Sequence, residues 1–258
     1  MIFDTHAHYD DEQFDGDRES LLDELPANGI KRVVDVAASA DSLARVLEIA
    51  RTHDFVYAAL GLHPDEVGDL SDEVFHFMEE NLSDPKVVAV GEIGLDYYWN
   101  KEAKAVQEAA FRRQIELALK HKMPINVHSR EAADDTLRII KDYYGKGDVE
   151  NPGIIHCFSY SVEMAEIYVK MGFVLGIGGV VTYKNGRKLK EVVERIPLDK
   201  LVLETDCPYL SPVPNRGKRN SSLNLPYVVR EIAALKGVSE EEVEQKTWEN
   251  ACRVYCLD

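Results

Sequence analysis

Two histidines stand one residue apart in Ile2-Phe3-Asp4-Thr5-His6-Ala7-His8, just after an apolar pair. On a β-strand, residues i and i+2 project from one face, so His6 and His8 stand side by side. That spacing suits a shared metal ion, or two hydrogen-bonded polar side chains. Other residues with ligand chemistry recur at a fixed place, the end of an apolar run. Glu92 follows VVAVG, His128 follows INV, His156 follows GII and Asp206 follows LVLET. Taken singly, each has a plainer explanation: a hydrogen-bonded core histidine, an ion pair of Glu92 with Arg130, or a turn capped by Asp206. Together they are hard to explain by packing, because burying unpaired ions costs several kcal/mol each. Shared cations remove that cost. Imidazole and carboxylate donors without thiolate suit zinc, manganese, iron, cobalt or nickel, and carboxylate-rich sites also suit magnesium. An open catalytic zinc keeps three protein ligands and a water. The six donors here therefore fit two divalent ions sharing a carboxylate better than one.

The elements that must position these groups are legible in the alternation of the chain. Eight short apolar runs cover 2–8, 31–39, 55–64, 86–97, 124–130, 153–159, 172–179 and 201–210, each followed by an amphipathic stretch. In 101–122, Phe111, Ile115 and Ala118 follow the spacing of a buried helix face. Ser239-Glu240-Glu241-Glu242 reads as a capping box opening the last helix, with Gly237 closing the one before. Alternating β and α predicts a parallel sheet. Eight units in roughly 250 residues predict an α/β fold of the (β/α)8 TIM-barrel type over an open doubly wound sheet. No linker divides the chain, so one domain over 1–258 is expected, with 211–226 a long loop after the eighth strand. In such a barrel the active site lies at the C-terminal ends of the strands, where the donors fall. His63, in GLHP, sits at the same level and is read as lining the pocket to meet an anionic group. His53, His76 and His121 are expected at the surface. Cys157 and Cys207 each follow a proposed ligand, and are expected to pack between barrel and helices.

Composition bounds the partners. Of 258 residues 45% are hydrophobic, enough for a substantial core, and 46 acidic against 30 basic residues leave a net charge of −16. That field opposes broad non-specific binding of nucleic acid but leaves room for a local basic patch. The four cysteines form no CxxC pair, and no signal peptide or membrane-spanning run is visible. A reducing, cytoplasmic setting is expected.

The ordered set Asp4-x-His6-x-His8, GLHP (61–64), GEIGLDYY (91–98), NVHSR (126–130), HCFS (156–159) and ETDCPYL (204–210) resembles the TatD family of metal-dependent hydrolases. The resemblance runs from the first strand to Asn250. It implies a distorted TIM barrel of the amidohydrolase-like superfamily, a two-metal site and phosphodiesterase activity of an exonuclease-like DNase. It further implies that His6, His8 and Asp206 hold one ion, that His128 and His156 hold the other, and that Glu92 bridges them. His63 matches a histidine placed near the scissile phosphate. Two departures stand out: Tyr160 replaces a glycine after HCFS and could narrow the pocket. GKRNSSLNLP replaces GKRNEP, putting Ser221 where an acidic residue is usual and lengthening a loop near the substrate.

The chemistry expected is metal-assisted hydrolysis, with Asp206 taking the proton of the attacking water. Glu204 shares the inward face of Asp206 and either tunes the site or fills the packed layer. Arg130 continues the face of Asn126 and His128 toward a phosphate oxygen. Lys184 and Arg219, within short basic runs after the last two strands, are candidates to track phosphates. Tyr97, with Tyr98 and Trp99, could stack a base or roof the barrel. DNA is the expected partner. Alternatives are hydrolysis of a small ester, lactone or amide, or of an aminoacyl-tRNA ester, because fold does not fix substrate. A metal-stabilised scaffold without turnover is a further reading, disfavoured because structural zinc sites are closed and usually cysteine-rich.

Overall fold

The computed structural model describes residues 1–99 and 103–258. Eight parallel strands form a nearly closed barrel in sequence order: β1 (Ile2–Ala7), β2 (Ile30–Val36), β3 (Val56–Leu60), β4 (Val87–Asp96), β5 (Ile125–Arg130), β6 (Gly153–Ile155), β7 (Val174–Ile177) and β8 (Leu201–Leu203). A helix follows each strand: α1 (Arg18–Glu24), α2 (Ala40–Thr52), α3 (Asp72–Asn81), α4 (Lys104–His121), α5 (Ala133–Tyr144), α6 (Val162–Lys170), α7 (Arg187–Arg195) and α8 (Leu225–Lys236). An additional helix, α9 (Glu240–Tyr255), ends the fold. Residues 101 and 102 of the stretch expected to form α4 lie outside the described residues; Phe111, Ile115 and Ala118 are buried in it as the spacing requires. Ser39, Ser71, Ser161 and Ser239 cap α2, α3, α6 and α9 by accepting a backbone N–H from the first turn. Gly237 ends α8 in the left-handed region at φ 68°.

The barrel closes just past its last strand. The N–H groups of Thr205 and Asp206 donate to His6 O at 3.3 and 2.9 Å, and His8 N donates to Cys207 O at 2.8 Å. This seam therefore runs through ligand candidates. Register shifts between Asp4 and Ala7 and between Val90 and Ile93 distort the ladder around His6 and Glu92. Such bulges re-aim side chains and favour the neighbourhood of active sites. Inside the barrel, Phe3, Val34, Ala59, Val88, Ile154, Val174 and Val202 pack with Ala251, Val254 and Tyr255 of α9. The Tyr255 hydroxyl donates to Thr5 O at 3.0 Å. The floor is thus packed, and the cavity opens at the opposite end. Among the described residues, no helix is long and apolar enough to cross a membrane.

Candidate metal centre

The six donors converge at the C-terminal ends of the strands, five of them lining a cleft of about 770 Å³ and His6 buried against them. Glu92, buried in β4, divides the imidazoles between its two oxygens. Oε2 lies 3.4 Å from His6 Nε2 and 3.6 Å from His8 Nε2. Oε1 lies 2.7 Å from His128 Nδ1 and 3.6 Å from His156 Nε2. Asp206 Oδ1 reaches His8 Nε2 at 3.4 Å, His156 Nε2 at 3.7 Å and His6 Nε2 at 4.0 Å. The rings of His6 and His156 stack with centroids 3.5 Å apart.

These residues fit divalent cations. His6 and His8 aim Nε2 at one another at 3.2 Å, an approach of two ring nitrogens that needs a proton or a cation between them. His8 donates its far nitrogen, Nδ1, to Val36 O at 2.8 Å, and His156 donates Nδ1 to Glu204 Oε2 at 3.2 Å. An acceptor behind the ring fixes the tautomer that leaves the near nitrogen as a ligand. The charges agree. Burial works against a charged His8, yet the Asp206 and Glu92 carboxylates outweigh it and push the imidazole up to about 10. Burial is likewise overcome at His128 by Asp96 and Glu92, and at His156 by Glu204 and Glu92, both raised to about 9. At His6 burial wins, reinforced by His156, and lowers it. Without ions, the carboxylates thus collect protons on three imidazoles, the positive charge that bound cations supply instead.

His63 and Arg130 line the cleft as well. Burial, aided by His128, lowers His63 to about 4, so it is neutral. Its Nδ1 accepts the Asp65 N–H at 3.2 Å, which places its own proton on Nε2. Arg130 does not pair with Glu92. Its guanidinium lies over the rings of Tyr98 and Trp99, 4.0 and 5.4 Å from their centroids. Among the described residues, it is the one Lys or Arg side chain on the lining.

Three expected substrate contacts lie elsewhere. Tyr97, immediately past the end of β4, is buried and donates its hydroxyl to Asp135 Oδ2 at 3.2 Å. Trp99 occupies the rim instead. Arg219 pairs with Asp17 at 2.5 Å, donates to Gln13 O and covers Phe14. Lys184 is exposed and off the lining. The turn before it is tied beneath the loop after β8, Val213 N donating to Thr182 Oγ1 at 2.8 Å. Other corrections are smaller. Tyr160 does not line the cleft but braces Ser129, its hydroxyl 2.8 Å from Oγ. His53 is buried at the end of α2. Cys207 packs in the core, whereas Cys157 turns at φ 45° onto the cleft wall.

One group at the site, Asp96, escapes a reading by run ends, and a second, Glu204, read as either tuning the site or filling the packed layer, meets a candidate ligand. Asp96, two pleats beyond Glu92, lies 3.0 Å from His128 Nε2; its signal is the period of two through Glu92 and Gly94. Glu204 is fully buried and accepts both His156 Nδ1 and the Cys157 N–H. Gly176 makes the space for it, since a Cβ there would lie 2.0 Å from Glu204 Oε2.

A family model described as TatD related DNase matches residues 3–256. The chain is 44% identical over the full length of both to an uncharacterized metal-dependent hydrolase, YabD, of Bacillus subtilis. It is 37% identical to the uncharacterized metal-dependent hydrolase TatD of Mycobacterium tuberculosis, over 99% of this chain and 98% of that one. The crystal structure of the TatD homologue YjjV from Escherichia coli superposes with a TM-score of 0.93 at 32% identity, covering 100% of this chain and 98% of the other. A barrel whose strand ends gather four imidazoles around one buried carboxylate, and whose sequence matches over this length, belongs to the TatD family of metal-dependent hydrolases.

Proposed function

We propose that the protein hydrolyses phosphodiester bonds at the end of a DNA strand, using two divalent ions. The observation that carries the reading is Glu92, whose two oxygens each face a pair of imidazoles. In it, His6, His8 and Asp206 hold one ion, His128 and His156 the other, and Glu92 serves both. Such ions supply Lewis acidity toward the phosphoryl group and its attacking water.

The chain's own groups do the rest. Asp206 Oδ1 faces the imidazoles, which leaves its second oxygen to accept the proton of the attacking water. Asp206 is ionised for this: burial favours the neutral carboxyl, but His156 and His8 outweigh it and keep its pKa low. His63 offers Nε2–H to a phosphoryl or leaving oxygen without charging. Arg130 supplies a cation at the mouth, and Trp99 and Tyr209 are exposed there to stack unpaired bases. About 770 Å³ suits a chain end rather than a duplex lying across the barrel. Asp10 and Asp11 on the same lining disfavour a long polyanion and keep a small ester or lactone as the second reading.

The test strips the protein of metal and presents an end-labelled single-stranded DNA oligonucleotide, adding back Mg²⁺, Mn²⁺ or Zn²⁺ in turn. A metal-dependent ladder abolished in His128→Ala, and reduced about 10²- to 10⁴-fold in Asp206→Asn, is the expected result. No cleavage, or cleavage that survives both substitutions, rejects the reading and directs attention to carboxyl-ester and lactone substrates.

A further inference from the structure

We infer that Asp96 is a positioning residue with two ends: one oxygen holds the metal-ligand candidate His128 in the tautomer that takes an ion, and the other fixes the rim turn that carries Trp99. The inference rests on the two-ion reading above and adds to it a link between ion and substrate rim.

Glu92, Gly94 and Asp96 lie on one face of β4. Gly94, at φ 153°, allows the close approach to β5, because a Cβ there would lie 1.9 Å from His128 O. That approach sets the buried Asp96 carboxylate beside His128, with Oδ2 3.0 Å from Nε2. Both ring nitrogens face carboxylates, which only accept. Glu92, on the Nδ1 side, also faces the imidazoles of His6, His8 and His156, whereas Asp96 does not. An ion would therefore enter at Nδ1 and leave the ring hydrogen on Nε2 for Asp96. Asp96 Oδ1 accepts the backbone N–H groups of Tyr98 and Trp99 at 2.8 and 3.2 Å. Arg130 stacks on these same two rings. The Asp96 backbone is clamped in turn by the Gln107 amide, which accepts from Asp96 N and donates to Asp96 O, both at 3.0 Å. One immobilised carboxylate thus joins an ion ligand to the rim.

The two ends separate chemically. In Asp96→Asn, the amide oxygen can still accept from Tyr98 and Trp99, but its NH₂ faces His128 Nε2. That pairing demands a lone pair on Nε2 and moves the ring proton to Nδ1, where the ion belongs. Asp96→Ala removes both contacts. Trp248→Phe leaves Trp99 as the sole tryptophan, since the chain has two, so emission reports the rim.

The experiment titrates Zn²⁺ into the full chain in this background, reading stoichiometry and affinity by calorimetry and Trp99 emission in parallel. Asp96→Asn is expected to weaken one of two Zn²⁺ ions about 10- to 100-fold and to leave the other ion and the emission spectrum unchanged. Asp96→Ala is expected to weaken the same ion and also shift the emission. Two ions bound with parental affinity in Asp96→Asn, or unmoved emission in Asp96→Ala, would overturn the proposal. A measurement on the Zn²⁺-loaded parent needs no variant to fold: ¹⁵N-histidine NMR should find His128 protonated at Nε2, and ligation through Nε2 sinks the idea. A parent chain that binds one Zn²⁺ and leaves His128 free defeats the two-ion reading and this proposal together, whereas two unchanged ions in Asp96→Asn defeat this proposal alone.

Discussion

At Glu204 the difference between packing and function comes down to one side chain. It is buried in the barrel and, among the described residues, its carboxylate accepts from His156 Nδ1 and the Cys157 N–H. Glu204→Gln keeps its volume, but the amide can turn a donor toward Nδ1 and so compete for the proton that fixes the tautomer. Metal affinity should fall about 10- to 100-fold, measured by dialysis and calorimetry, and the metal-free protein should lose the stability that Glu204 gives by pairing with the protonated His156. Unchanged affinity would return Glu204 to the packed layer. The convergence of the six candidate donors was legible residue by residue because each member interrupts an apolar run. Asp96 was not, because β4 continues four residues beyond Glu92 and ends on an acidic residue that looks like the start of a loop. Tyr97 misled for a related reason: it follows directly on the last residue of β4 with its N–H still bonded to Arg130 O, and its side chain turns away from the Asp96 side to Asp135. Arg219 and Lys184 show that a basic run carries no information about its partners. Asp17, which neutralises Arg219, lies about 200 positions away, with a separation of 202.

At the scale of elements, the eight apolar runs map onto eight strands, because a strand buried on both faces has to be continuously apolar. Lengths were less legible. β6 and β8 are three residues long, and the runs that contain them continue past the strands into turns. Cys157 and Asp206 in those turns take left-handed φ values of 45° and 57°, sparsely populated for residues other than glycine. The Asp206 turn accompanies closure of the barrel between His6, His8 and Cys207, and the Cys157 turn gives its N–H to Glu204, contacts distant in sequence that no local pattern announces. Gly176 on β7 carries the prediction for this scale. Gly176→Ala drives a methyl into the Glu204 carboxylate, and should destabilise the fold by about 1–3 kcal/mol in denaturant unfolding. It should also weaken metal binding, since Glu204 holds His156. A variant as stable and as tight as the parent would show that the packing there is loose.

For the whole molecule, the acidic surplus and the clustered imidazoles make stability depend on pH and on metal. Without metal, His8, His128 and His156 are raised to about 10, 9 and 9. Folded-state pKa values above the unfolded value of about 6.5 contribute stability that is fully present below pH 6.5 and lost as pH rises through 9 to 10. Asp4, raised by burial to about 7 against its hydrogen bonds from Ser222 and Thr205, has the same sign over pH 4 to 7. The metal-free melting temperature should therefore fall from pH 6 to pH 9.5. With saturating Zn²⁺ the folded state no longer holds those imidazole protons, so stability should instead rise with pH through 6.5. Equal slopes with and without metal would remove the imidazoles from the ion site. The division of the four imidazoles by Glu92 is tested most directly by anomalous diffraction from crystals grown with Mn²⁺. The expected result is two Mn²⁺ peaks joined by Glu92, one held by His6, His8 and Asp206 and the other by His128 and His156. A single peak, or peaks that leave His128 and His156 without an ion, would contradict the two-ion account.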